Sequence, residues 1–529
     1  MRGAKMGGAR KNVLWVDDEI EFLRSHIMFL ETRGYSVVPV FGGDEALQLI
    51  QEEPRRFDIV LLDEQMPGKD GLTTLQEIKD FLPDLPVVMV TKSEEEQVME
   101  DALGKKIDGY LTKPVNPSQI LSVCKAILDS PRLISSQVTQ RFVRDYSENR
   151  SLLQRDMHAS DWIRLYVNLA SWDLELEKVD NEGLRQNHAG QKSDCNKQFS
   201  RFVTANYHRW IKGDAHPPVL SPKVIDEYVM PLLKDKRKVR LVVFDCMRLD
   251  QYFVVETLLK RYFDAQRRCT FSILPSAPRF ARASLFSGAF PDELVKDYPQ
   301  LYDEATADEQ TVVGLDRELL ERNFKAKGFD MRKRGAFAHV CNAGAAAEVL
   351  EQVPSMADKQ LAVVAVDFFQ MLTHGRSTSS ILQEITADES SLRALTLSWF
   401  QFSPVLQILR EFADQNATVV LTTDHGSMLC NRGIELYGAQ GLQRHLRYQF
   451  GERVTSDERR CHYVSVPSQY HLPAASEETV CLLATENHYF SSPAESDNRP
   501  SETHNTFCYG GISMEEMIIP LAILEPRSS

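Results

Sequence analysis

Five residues in the first 113 positions are of the types needed to make and hold an acyl phosphate. Asp63 ends the apolar run 59–62 and is followed by a Met-Pro-Gly turn at 66–68. This pattern reads as a buried strand that delivers one carboxylate to an exposed loop. Asp17 and Asp18 follow the apolar run 13–16, Thr91 follows the run 86–90, and Lys113 stands before Pro114. If Asp17, Asp18 and Asp63 converge they repel one another, unless they share a hard divalent cation such as Mg²⁺, which takes one or two carboxylates and keeps several waters. Thr91 can then hydrogen-bond a phosphoryl oxygen and Lys113 can pair with its charge.

A second set of polar residues follows strand-like runs in the rear half. Asp245 follows 239–244, Asp367 follows 361–366 with Gln370, His374 and Arg376 soon after, and Asp424-His425 follows the run 417–421 and two threonines. Adjacent carboxylate and imidazole ligands suit a borderline metal such as zinc. Arg282, Gly288 and Arg376 are candidates to line an anion pocket; for the arginines an ordinary salt-bridge role is equally open.

Alternating strands and helices must position both sets. Strands are expected at 13–16, 35–40, 59–62, 86–90 and 109–112, with helices over 21–33, 43–53, 75–81 and 98–103 between them. That alternation predicts a doubly wound parallel sheet of the flavodoxin-like class, with ligands beyond the carboxyl ends of its strands. Residues 133–210 have helical apolar periodicity, with a break expected near Gly190, and read as a bundle of short helices. The isolated histidines 188, 208 and 216 read as structural or exposed. The rear strands predict a second α/β sheet. The expected division is 11–130, 131–235 and 236–529.

Residues 11–130 resemble the receiver domain of two-component response regulators: the acidic pair, Asp63, Thr91, Tyr110 and Lys113-Pro114 fall in that family's order. The resemblance implies phosphorylation of Asp63 by a sensor histidine kinase and Mg²⁺ on Asp18, Asp63 and the Gln65 carbonyl. It makes Thr91 and Tyr110 the switch pair.

The rear half resembles the PglZ domain of the alkaline phosphatase superfamily, through the segments 244–251, 372–376, 423–427 and 510–517. With a receiver in front, the chain resembles PorX-type response regulators of bacteria with type IX secretion. Members of that family use two zinc ions and a threonine nucleophile on phosphodiesters, cyclic oligonucleotides among them. Here the pattern departs. The threonine position, counted back from Ser287-Gly288, is Pro278, with Ser276 the nearby hydroxyl. A metal-binding Asp is replaced by Gln370, leaving Asp367 as a possible substitute, and a ligand His is replaced by Tyr509, with His504 the nearest histidine. Asp245, Asp424 and His425 survive as one zinc's ligands, while the other zinc keeps only His374. Neutral Gln and protonated Tyr are poor zinc ligands.

Three readings follow: a phosphorylation-controlled regulator whose output domain is a degenerate hydrolase that binds a metal and a nucleotide or protein; an active zinc phosphodiesterase or phosphatase using Ser276, Asp367 and His504 as replacements; or a structural and dimerisation platform. The resemblance further implies a homodimer favoured by phosphorylation, a sigma factor and secretion-system components as partners. The formal net charge of −14 argues against a general nucleic-acid binder. No helix-turn-helix signature supports direct promoter binding. Nine cysteines without a C-x-x-C pair suit reduced thiols in a cytoplasmic protein. No apolar run reaches membrane-span length, and the basic segment 1–11 lacks the apolar stretch of a signal peptide.

Overall fold

The computed structural model describes residues 10–91, 107–213, 217–301, 309–438, 445–474, 476–491 and 505–527. The chain forms two compact units, residues 1–141 and 142–529.

In the first unit, strands β1 (Lys11–Val16), β2 (Tyr35–Val40), β3 (Ile59–Asp63), β4 (Val87–Thr91) and β5 (Gly109–Thr112) form a parallel sheet in the order β2-β1-β3-β4-β5. This is the flavodoxin-like order. Its central strands are apolar on both faces because helices cover both, and every residue of β3 and β4 is buried. The register fixes the site. Val16 pairs with Leu62, Asp63 with Val90, and Thr91 with Thr112. Asp17, Asp63, Thr91 and Lys113 therefore leave the sheet along one edge. The expected helix at 98–103 lies outside the described residues.

In the second unit, β6 (Val239–Phe244), β7 (Phe263–Phe271), β8 (Gly335–Val340), β9 (Leu361–Val366), β10 (Thr418–Thr423) and β18 (Ile518–Pro526) make a six-stranded sheet in the order β7-β18-β10-β6-β9-β8. The four strands β10, β6, β9 and β8 run parallel, and β18 is antiparallel to β10 and β7. Phe244 pairs with both Thr423 and Val366, which sets Asp245 between Asp424 and Asp367. Smaller pairings complete the unit: β11 (Met428–Cys430) with β17 (Thr506–Cys508), β12 (Arg432–Glu435) with β16 (His488–Ser491), and β13 (Tyr448–Glu452) and β14 (Cys461–Val464) on either side of β15 (Thr479–Ala484).

The middle helices differ from expectation in length. They span Pro117–Leu152, Ala159–Glu177 and Glu182–Ile211, and the last runs unbroken through Gly190. A glycine inside a helix costs about 1 kcal/mol. Burial of Leu184, His188, Gln191, Cys195 and Phe199 at helical spacing on one face outweighs it. The helices Ala159–Glu177 and Glu182–Ile211 are part of the output core: Trp162, Tyr166, Phe199, Tyr207 and Trp210 are buried in one cluster with Phe244 and Phe271. No helix among the described residues is long and apolar enough to cross a membrane.

Candidate functional site

At the edge of the first sheet, ligand atoms of Asp17, Asp18 and Asp63 lie within 4.8 Å of one another; Asp17 and Asp63 are buried and Asp18 is exposed. Lys113 Nζ donates to Asp17 Oδ2 and to Asp63 Oδ2, both at 2.8 Å. Burial pushes the Asp63 carboxyl above its ordinary range; Lys113 opposes this and the Asp17 and Asp18 charges add to it. Burial also works against the Lys113 charge, but its bonds to the two aspartates outweigh it and hold its pKa up. Thr91 is buried and its hydroxyl donates to the Glu64 carboxylate. The oxygen donors, with one exposed ligand through which waters enter, fit a hard divalent cation. Gln65 lies exposed two residues past Asp63, and Tyr110 is half-buried on β5 against the sheet's core.

The turn after Asp63 is built for close approach. A Cβ at Gly71 would lie 2.2 Å from the Asp63 carbonyl oxygen, so only glycine lets the following helix start so near the phosphoacceptor strand. Asp70 caps that helix by accepting from the Thr73 amide at 2.7 Å.

In the second unit, ligand atoms of Asp245, Asp424 and His425 also lie within 4.8 Å of one another, and all three residues are buried. Asp424 Oδ1 is fixed by the amides of Cys246 (3.2 Å) and His425 (2.8 Å), and His425 Nδ1 is paired with the Gly426 carbonyl at 2.9 Å. These contacts turn Asp424 Oδ2 and His425 Nε2 toward each other at 3.6 Å, and neither has a hydrogen-bond partner among the described residues. His425 Nε2 is also 3.6 Å from Asp245 Oδ1. Two carboxylates and an imidazole, with buried coordinating atoms and oriented outer contacts, fit a borderline divalent metal.

Around this cluster, the positions that the resemblance gives to a second metal hold other residues. Asp367 stands at the third strand end, but its oxygens are taken by Arg282 Nη1 (3.1 Å) and His339 Nε2 (2.5 Å). Arg282 also donates to Asp245 Oδ2 at 2.5 Å and clasps Asp316. Burial opposes the Arg282 charge, and Asp316, Asp245 and Asp367 together outweigh it. A guanidinium thus sits among three carboxylates, which removes Arg282 from the anion pocket weighed for it. Asp316 and His339 gave no sequence signal, since neither follows a strand.

Gln370 is buried, with its amide nitrogen unpartnered among the described residues, and the Tyr509 ring lies tilted by 41° against the His425 ring, with the centroids 4.8 Å apart. His374 lies in the helix Phe368–Thr378. His504 and His216 lie outside the described residues. Ser276 is buried and its hydroxyl already donates to the Gly511 carbonyl at 2.9 Å. Pro278 opens the helix Pro278–Ser287, a position where proline loses no hydrogen bond, so it fits the backbone while supplying no hydroxyl. Gly288 is that helix's left-handed C-cap (φ +71°), with Asn323 packed where a side chain would go. Arg376 is buried over the Phe507 ring, with Nε and Nη1 unpartnered among the described residues. Of the two arginines weighed for an anion pocket, Arg376 has no carboxylate bonded to it among the described residues. His188 is buried and paired with Asp173, and His208 is paired with the Gln469 carbonyl.

Comparison with known proteins gives three matches along the chain. Residues 13–125 match the response regulator receiver domain, 132–211 the PorX response regulator linker domain, and 224–524 the BREX system PglZ alkaline phosphatase-like domain. The transcriptional regulatory protein BaeR of Escherichia coli O6:H1 is 36% identical over 118 residues, which are 22% of this chain and 47% of that protein. The transcriptional regulatory protein ResD of Bacillus subtilis is 33% identical over 116 residues, again 22% of this chain and 47% of that one. The chain thus spans about half the length of these curated relatives. A CheY-like response regulator receiver domain protein from Methanospirillum hungatei JF-1 is similar at 31% identity, covering 23% of this chain and 95% of its own, with a TM-score of 0.22. The PglZ match spans more than half of the chain, and the three matches fall in order, so the chain belongs to the PglZ alkaline phosphatase-like family, as a receiver–PglZ fusion of the PorX response-regulator type.

Proposed function

We propose that a sensor histidine kinase phosphorylates Asp63, with Mg²⁺ held by Asp17, Asp18, Asp63 and the Gln65 carbonyl. The output domain is then a pseudo-hydrolase that holds one zinc ion and binds a nucleotide or a protein. When bound, Mg²⁺ supplies positive charge to the phosphoryl oxygens. Lys113 pairs with the charge on the phosphorylated side chain, and the Thr91 hydroxyl leaves Glu64 to donate to a phosphoryl oxygen while Tyr110 responds as the switch partner. The observation that carries the receiver half is Lys113 Nζ shared equally between Asp17 and Asp63 at 2.8 Å.

For the output half, support comes from the contrast between one three-residue cluster, in which Asp424 Oδ2 and His425 Nε2 have no hydrogen-bond partner among the described residues, and a second position that the family resemblance assigns to Gln370 and Tyr509. A bimetallic diesterase without its second ion and its nucleophile loses roughly 10²–10³ in rate for each group, and the losses do not simply add. Regulation of type IX secretion or related gene expression, through a phosphorylation-favoured homodimer, a sigma factor or secretion components in the cytoplasm, rests on the family resemblance. A second reading, an active zinc phosphodiesterase on cyclic or linear oligonucleotides, is favoured by the preorganised Asp245, Asp424 and His425 cluster. Treatment with acetyl phosphate and Mg²⁺ tests the first half: the unaltered chain takes up one acid-labile phosphate and Asp63→Ala takes up none. Uptake by Asp63→Ala would contradict the assignment.

A further inference from the structure

The second unit has a cavity of about 610 Å³ between the helices Ala159–Glu177, Glu182–Ile211 and Glu389–Phe402 and the strand β11. None of Asp245, Asp424 and His425 lines it. Its wall carries seven carboxylates and three basic side chains, so it is acidic overall. Most of these charges satisfy one another. Lys192 Nζ donates to Asp173 Oδ2 (3.0 Å) and Glu389 Oε2 (2.8 Å), and Arg393 binds Glu177.

Two groups of the wall are left over. Glu515 is 1% exposed; its Oε2 accepts from Asn196 at 2.8 Å, but its Oε1 has no hydrogen-bond partner among the described residues. Lys192 Nζ stands 3.8 Å from Oε1, beyond hydrogen-bond reach. His188 is 4% exposed; its Nε2 is 2.9 Å from Asp173 Oδ1, and its Nδ1 has no partner among the described residues. The Asp173 carboxylate only accepts, so Nε2 carries a proton, and in that tautomer Nδ1 is an acceptor. A buried acceptor left unpaired is destabilising, and more so when it is charged. Both orphans ask for the same thing, an N–H from outside. Burial pushes the Glu515 carboxyl above its ordinary range and Lys192 offsets only part of this, so a further positive charge nearby stabilises its ionised form.

We propose that this cavity is a binding site for a small organic cation bearing several N–H donors, of the alkylammonium or guanidinium class, with Glu515 and His188 as its acceptors and Glu486 in its wall. The site joins the middle helices to the output domain, because His188 and Lys192 come from the former and Glu389, Met428 and Glu515 from the latter.

Isothermal titration of the full chain with spermidine and with methylguanidine, at physiological salt, tests this and separates alkylammonium from guanidinium. Saturable binding of one molecule per chain by either probe is expected. Glu515→Gln should weaken it at least tenfold. Ser193→Trp, at an exposed position of the cavity wall, should abolish it while leaving the buried charges in place, and so covers the case in which Glu515→Gln fails to fold. No saturable binding, binding that survives Ser193→Trp, or equal binding of tetramethylammonium, which has no N–H, would overturn the proposal.

Discussion

Both sheets deliver carboxylates to the carboxyl ends of parallel strands, yet the two sites treat them differently. In the receiver, Asp17 and Asp63 meet a lysine while Asp18 faces solvent. In the PglZ unit, Asp245 and Asp367 meet Arg282, a permanent cation buried with a third carboxylate, Asp316. A lysine on a flexible stem can follow a phosphoryl group or make room for a metal, whereas a guanidinium clasping three aspartates is fixed. The first arrangement suits a site that changes charge in use. The second suits one whose extra cation has become part of the framework, leaving Asp245, Asp424 and His425 for the single metal proposed above.

The contrast can be broken most sharply at Asp63. Asp63→Asn is expected to abolish labelling from acetyl phosphate outright while leaving zinc content unchanged, read by phosphate-affinity gel and by metal analysis of the same sample. On the output side, Asp424→Asn removes one of three ligands. Zinc should fall from one ion per chain to none, and with it a stabilisation of about 2.7 kcal/mol at metal concentrations near 100 times Kd, read as a lower Tm. Restoration sharpens the comparison from the other direction. The triple change Pro278→Thr, Gln370→Asp and Tyr509→His should raise diester hydrolysis by about 10²-fold or more and bring a second zinc.

The smallest expected effect concerns pH. Burial opposes ionisation of Asp173, but Lys192 and His188 outweigh it and hold its carboxyl down at about 2. A folded pKa below the unfolded 3.8 contributes stability above that value, lost as pH falls from about 4 toward 2. The contribution is on the order of 2 kcal/mol. Asp173→Asn should flatten that part of the acid-unfolding curve, measured by circular dichroism.

Strand ends were the most legible feature of the chain. An apolar run closed by one acid fixes both the element and the direction of its last side chain, and parallel register then aligns Asp17 with Asp63 and Asp245 with Asp424. What lay outside sequence reasoning were the partners that reach these acids from helices and loops. Arg282 was visible as an arginine, but its pairing with Asp316, 34 residues on, depends on how two helices pack. Gly190 suggested a break because glycine is a poor helix former, and the buried face of the helix that contains it overrode that preference. The cavity with Glu515 and Lys192 joins residues more than 300 positions apart, which no local pattern encodes.

Cleavage of a phosphodiester by the zinc-loaded, acetyl-phosphate-treated chain tests the central claim most directly, using a cyclic dinucleotide and a linear dinucleotide as substrates. The account predicts a phosphate on Asp63 and no product above the metal-only background. Product formation that is lost in Asp424→Asn and in Ser276→Ala would contradict it.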